Sequence, residues 1–199
     1  MSILDEREEF DNQVFDSVRI ENEHLEFKKF EDCIFQECTF SETLFRDCKF
    51  FNCTFKSCRL SLIQVKSSAF MGVKFEESDI IGVDWTEASW PKTGLHSIDF
   101  FKSVINHSTF TGLSLKRIHI TGCVARNVDF AEADLSQADC TGTDFAQSRF
   151  LYTNLTQADF SGSRQYAISP DLNTLKKTKF SLPEAISLLY GLDIILDET

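Results

Sequence analysis

Five of the seven cysteines, Cys33, Cys38, Cys48, Cys53 and Cys58, are separated by multiples of five residues. Thiols at close spacing can hold zinc, but such sites favour C-x2–4-C knuckles whose ligands converge. Cys33 and Cys38 match that spacing only loosely, so packing is the preferred reading. The four histidines, His24, His96, His107 and His119, are scattered, with no recurrent acid or nucleophile beside them. No nucleophile elbow, phosphate loop or H-E-x-x-H motif occurs. The sequence points away from catalysis, and no catalytic residue, metal or cofactor is expected.

The aspartates are spaced more suggestively. Asp79, Asp99, Asp139 and Asp159 fall 20 or 40 residues apart with His119 at the intervening place, and Asp84, Asp134 and Asp144 lie five residues from members of that series. Between residues 129 and 163 Arg149 is the one base among six acids. With a net charge of −11, a basic nucleic-acid-binding surface is excluded, and an acidic surface for a basic partner becomes the candidate. Its residues are Asp79, Asp99, Asp134, Asp139, Asp144 and Asp159. The competing reading is that an Asp or Asn ahead of each repeat centre only bonds its local backbone.

What must position these residues is a repeat. Every fifth residue from Phe10 to Phe160 is apolar, with one lapse, at Ala125, in 31 positions. Residues two places earlier, such as Cys33, Thr43, Ser68, Val73 and Ala133, are small or apolar. A helix repeats every 3.6 residues and a strand every 2.0, so neither gives a period of five. A chain that turns after each short extended piece does. If each pentapeptide forms one side of a square, four make a coil of 20 residues, and coils stack as parallel strands about 4.8 Å apart. Every centre residue, and the residue two before it, then points inward. The expected core is Phe30, Phe35, Phe50, Phe55, Phe70, Phe75, Phe110, Phe130 and Phe150. One column would run Phe70, Trp90, Phe110 and a second Phe75, Leu95, Leu115. Outward apolar pairs, Phe51 with Met71 and Ile81 with Phe101, would stack one coil apart. The stretch 85–95, with Pro91 and Gly94, is expected to be irregular.

The ends read differently. Gln13, Glu23 and Lys28 occupy inward places, so residues 1–25 are read as a cap or an irregular first coil, followed by the β-helix over 26–163. Ser181-Leu182-Pro183-Glu184 looks like a capping box, predicting a helix over 182–190 that ends at Gly191, with an extended tail over 192–196. Residues 164–199 are therefore read as a C-terminal cap. Leu182, Ala185, Ile186, Leu188, Leu189, Leu192, Ile194 and Ile195 are much apolar surface for so short a segment, and a two-fold dimer through these ends is the preferred reading. No secretory leader and no apolar run long enough to span a membrane is seen, and the odd cysteine count fits a reducing cytoplasm.

The five-residue pattern, with A-D-L-S-Q-A-D-C-T-G-T-D-F-A-Q from Ala133, resembles the pentapeptide-repeat family. That resemblance implies an all-β fold, a right-handed quadrilateral parallel β-helix, here with a short C-terminal α-helical cap. F-S-L-P-E-A-I-S-L-L-Y-G-L-D-I-I-L from Phe180, G-V-D-W-T-E-A-S-W-P from Gly82 and S-S-A-F-M-G-V-K-F from Ser67 look like a bacterial subgroup. It holds the albicidin-resistance, microcin-immunity and Qnr-type quinolone-resistance proteins, and the albicidin-resistance branch looks nearest. The resemblance implies a dimeric rod that mimics DNA, binds DNA gyrase and often topoisomerase IV, and protects them from a poison. It implies no direct nucleic-acid binding. Some Qnr-type proteins carry loops that break the frame. Here the frame is unbroken, so no large loop is expected. The alternative is an interaction scaffold with no topoisomerase target.

Overall fold

The structure, a computed structural model, describes residues 7–90, 98–192 and 194. Its unit is a three-residue strand. Glu9–Asp11, Val14–Asp16, Arg19–Glu21 and His24–Glu26 are four such strands, each with its middle residue buried. Each pairs directly and in parallel with a strand 20 residues on, as Phe10 with Phe30, Phe15 with Phe35, Ile20 with Phe40 and Leu25 with Phe45. Four sides therefore make one coil, and the coils form a parallel β-helix.

The bend between sides falls two residues after each centre. Asn12, Ser17, Asn22 and Phe27 have φ of 50° to 54°. One left-handed residue per corner lets an L-amino-acid chain turn without leaving the strand plane for long, at a local cost of about 1–2 kcal/mol for most residues. Burial inside the tube must offset that cost.

The tube is filled with rings. Phe30 stacks on Phe10 and Phe50 at centroid distances of 5.1 and 4.9 Å, and Phe35 on Phe15 and Phe55 at 4.9 and 4.5 Å. Rings on neighbouring sides meet edge to face, as Phe30 with Phe35 at 69°. Stacks along the axis and edge contacts across it both suit the ring quadrupole. All nine phenylalanines expected in the core are at most 5% exposed. The residues two places earlier add polar ties. Thr43, Ser68 and Ser78 donate to the carbonyls of Ile20, Phe45 and Phe55 in the coil before. Cys33, Cys48 and Cys53 do the same to Phe10, Leu25 and Phe30.

The expected columns hold only in the first half. Phe75 pairs with Phe100, and Asp79 and Asp84 with Val104 and Thr109, each 25 residues on. This coil carries five extra residues. Phe110 consequently stacks on Trp85, not on Trp90, and the column from Phe75 continues through Phe100 and Ile120. Ile81 and Phe101 do not stack, because Phe101 lies beside Glu76, whereas Phe51 does pair with Met71. Within the stretch expected to be irregular, Trp85–Glu87 forms a 3-10 turn in which the Thr86 amide donates to the Asp84 carboxylate. Pro91, Gly94 and Leu95 lie outside the described residues.

Both ends are more regular than the sequence suggests. Strands begin at Glu9. Glu23 is exposed and Gln13 and Lys28 half-buried, because the inward residues of this coil form the wet rim of the described stack. At the far end the stack runs on past Ser163: Ala167–Ile168 pairs with Arg149–Phe150, and Lys179–Phe180 with Asp159–Phe160. The helix is 3-10, Glu184–Gly191, not α, and has no side-chain cap. The capping-box residues serve the coil instead. Ser181 Oγ accepts from the Gly162 amide at 3.1 Å, and the Glu184 carboxylate accepts from the Gln165 amide.

Phe55→Ala, in the middle of a ring stack, should cost about 3–5 kcal/mol in denaturant unfolding followed by circular dichroism. Phe27→Ala, at a corner that is 64% exposed, should stay within about 0.5 kcal/mol. Equal effects would contradict the assignment of inside and outside.

Candidate functional site

A filled tube offers its outside. The longer coil sets which acids share a side. Asp99, His119, Asp139, Asp159 and Lys179 lie in one column along the second side. Asp79 does not join them. It sits on the third side, in the column of Val104, Val124, Asp144 and Arg164. Asp134 stands on the first side between Ser114 and Asn154, and Asp84 on the fourth, beside Thr109.

Most of these acids have partners. The Asp144 side chain is only 1% exposed and lies between Arg126 at 2.7 Å and Arg164 at 3.3 Å. Asp129 is bound by Arg149 at 2.6 Å, Asp134 by Lys116 at 3.4 Å and Asp159 by Lys179 at 2.9 Å. Asp79 faces Arg59 at 3.8 Å, and Asp99 accepts from the backbone amide of His119 and lies 3.1 Å from its ring. Asp139 has no ion pair among those found for the described residues. The local-backbone reading also holds. Asp129, Asp134, Asp139, Asp144 and Asp159 each accept from the amide two residues on, at 2.9 to 3.1 Å. These contacts set the pKa values. Burial pushes Asp144 up, but Arg126, the Ala146 amide and Arg164 outweigh it and hold the group below its ordinary value. Burial is likewise outweighed at Asp129 by Arg149 and at Asp134 by Ser136 and Lys116. Asp159 is held down chiefly by Ser161 and, against burial, by Lys179.

The charge surplus lies elsewhere. Residues 98–192 hold nine acids and nine bases, whereas residues 7–47 hold twelve acids and five bases. Asp32, Glu37, Glu42 and Asp47 occupy all four corners of the second coil, with φ of 49° to 53°, and all are exposed. They form an acidic ring around the rod that the sequence reading missed. The signal was present as four acids five residues apart, two places after the centres.

The cysteines are all buried and unbridged. No group of three His, Cys, Asp or Glu suited to a metal occurs among the described residues. No helix there is long and apolar enough to cross a membrane. Of the residues expected at a dimer contact, Leu182, Ile186 and Ile194 are exposed, Ala185, Leu188, Leu189 and Leu192 are half-buried, and Ile195 lies outside the described residues. Tyr190, 76% exposed, joins them.

Two family models match this architecture, a pentapeptide repeat region over residues 28–110 and pentapeptide repeats in eight copies over residues 126–162. The chain is a pentapeptide-repeat protein. Its fold is similar to that of a trypsin-treated variant of QnrB1, a plasmid-mediated fluoroquinolone resistance protein. The two are 19% identical, over 92% of this chain and 100% of that one, with a TM-score of 0.56. A second treated QnrB1 variant is 19% identical over 95% and 98%, with a TM-score of 0.45. HetL, a pentapeptide-repeat protein involved in heterocyst differentiation regulation in the cyanobacterium Nostoc, is 13% identical over 88% and 90%, with a TM-score of 0.24. No curated protein sequence matches the chain. The pentapeptide repeat places an Asp or Asn ahead of most centres in the later coils, and the bonds above show its structural use.

Asp144→Asn should cost about 1–3 kcal/mol at neutral pH, since it leaves two guanidinium groups facing a neutral amide and their outer ends stay hydrated. The folded-state pKa of Asp144 is depressed, so its contribution is complete above the unfolded value of about 3.9 and is lost as pH falls through the folded value. The gap between parent and variant should therefore close below about pH 4 in denaturant titrations. A gap that persists under acid conditions would contradict the ion-pair account.

Proposed function

We propose that this rod is a DNA mimic that binds DNA gyrase, and topoisomerase IV, in place of a duplex and so protects the enzyme from a poison. It performs no chemistry of its own. The observation that carries the reading is the exposed acidic ring of Asp32, Glu37, Glu42 and Asp47 on a rod whose charge balances in the described residues beyond it. A ring at all four corners presents negative charge to a basic groove whichever side faces it. The fold shared with a fluoroquinolone resistance protein supports the choice of partner. Asp139 of the second side extends the contact, whereas Asp159 is held by Lys179. Asp144 is excluded from it, because its carboxylate is buried between two arginines.

The rod works as a dimer joined at its C-terminal ends. Leu182, Ile186, Tyr190 and Ile194 expose 80%, 41%, 76% and 53% of their surface at that end, and a two-fold contact would cover them. Ile186→Asp should yield a folded monomer by sedimentation. A dimer of undiminished affinity would place the contact elsewhere.

The mimicry is tested by gyrase supercoiling with and without a fluoroquinolone. The parent should inhibit supercoiling at low salt and lose its grip steeply as salt rises. The variant Asp32→Asn, Glu37→Gln, Glu42→Gln, Asp47→Asn should remain folded and lose most of both inhibition and protection. Asp134→Asn, a control inside an ion pair, should retain them. Full activity of the folded quadruple variant would refute the acidic contact, and no effect of the parent on gyrase would favour the scaffold alternative.

A further inference from the structure

Charge along the rod is banded. Residues 7–47 hold twelve acids and five bases, residues 48–75 five bases and no acid, and residues 76–90 five acids and no base. The bases of the middle band are Lys49, Lys56, Arg59, Lys66 and Lys74, and all five are exposed. They occupy little more than one coil, between the ring of Asp32, Glu37, Glu42 and Asp47 and a second acidic group of Glu76, Glu77, Asp79, Asp84 and Glu87. Arg59 faces Asp79 at 3.8 Å. The four lysines have no ion pair among those found for the described residues.

The second side carries two of these lysines. Lys74 lies beside Thr54, and Lys56 beside Glu76, in successive coils. Val14 and Ile34, which precede Thr54 in the same column, are exposed and lie one coil apart. Asp139, the acid without an ion pair, stands farther along this side. The face therefore runs from apolar to basic to acidic along the axis.

A basic band is a liability in a uniformly basic groove. Coils lie about 4.8 Å apart, less than the Debye length of about 8 Å, so a groove that attracts the acidic ring would repel the lysines beside it. A partner that accepts both must change sign where the rod does. Nucleic-acid phosphates fit poorly, because a continuous polyanion following the rod would cross an acidic band on either flank. A compact group of carboxylates fits a band about one coil wide. We propose that Lys56 and Lys74 bind an acidic patch on the topoisomerase, a cluster of Asp or Glu side chains set between its basic stretches, and that this change of sign fixes how far the rod slides along the groove. The contact presupposes the gyrase binding proposed above and adds to it a feature with no counterpart in a duplex, whose charge has one sign throughout. The two lysines thus distinguish the rod from the DNA it replaces.

The test measures binding of the full chain to gyrase without DNA, for the parent, for Lys56→Gln with Lys74→Gln, and for Lys56→Glu with Lys74→Glu. Both lysines are exposed, so the variants should fold like the parent by circular dichroism. The Gln pair should bind about fivefold to tenfold more weakly, and the Glu pair more weakly still. A uniformly basic groove predicts the opposite sign, tighter binding by both variants. Tighter or unchanged binding, with the acidic-ring variant still impaired, would overturn this contact and leave the mimicry standing. A short duplex shifted by the parent alone, but not by the Gln pair, would place the lysines on phosphates and also overturn it. A parent that does not bind gyrase would overturn the function and the contact together.

Discussion

Everything in this molecule depends on keeping every fifth side chain out of water. A five-residue side has no backbone ladder bonds of its own and one large apolar residue to bury. It becomes stable only when the same residue of the next coil lies on it, so that ring covers ring and each strand finds its ladder partner. The corners follow from this demand. A left-handed residue, unfavourable by itself, is retained two places after each centre because the turn returns the chain to the register in which the next centre is buried. The small residues two places before the centres complete the tube by bonding carbonyls of the coil before, which leaves room for the rings and few unpaired groups inside.

With the interior occupied by rungs, function is left to the outside, and there position along the axis matters as much as side. The later coils use their aspartates twice, once to hold the local amide and once to hold a base from a neighbouring coil. Such acids are structural, and their charge is largely spent within the rod. The second coil carries acids at four corners, which the turns hold out into solvent. The electrostatic character of the rod is therefore set near its N-terminal end, while Leu182, Ile186, Tyr190 and Ile194 gather exposed apolar surface at the opposite end, apart from exposed residues elsewhere such as Val14 and Phe27.

Much of this was legible in the sequence. The period of five and the buried rungs are one fact seen twice, so reading Phe30, Phe50 and Phe70 as a column required only the assumption of a four-sided coil. The coil register was not legible. Five additional residues between Trp85 and Phe100 leave the five-residue frame intact while moving every later column by one side, which is why Asp79 parted from Asp99 and Phe110 from Trp90. The ion pairs were hidden for a related reason. Asp144 meets Arg126 and Arg164 from 18 and 20 residues away, contacts that exist only once the coils are in register. Ser181 and Glu184 read as a capping box because that pattern is local, but the exposed amides of the last coil are stronger claimants for both side chains. The acidic ring lies at exposed corners, which the pattern of buried centres does not mark.

The central claim is that inward rungs hold a stack of coils through parallel ladders, and residue-resolved amide hydrogen exchange tests it most directly. The account predicts slow exchange at a five-residue spacing through the middle coils, at residues such as Lys49, Asn52, Thr54 and Ser57, whose amides bond to a neighbouring coil at 2.8 to 3.0 Å. Protection should fade toward the first coil. Uniformly fast exchange, or continuous protection over runs of ten residues as in helices, would contradict it.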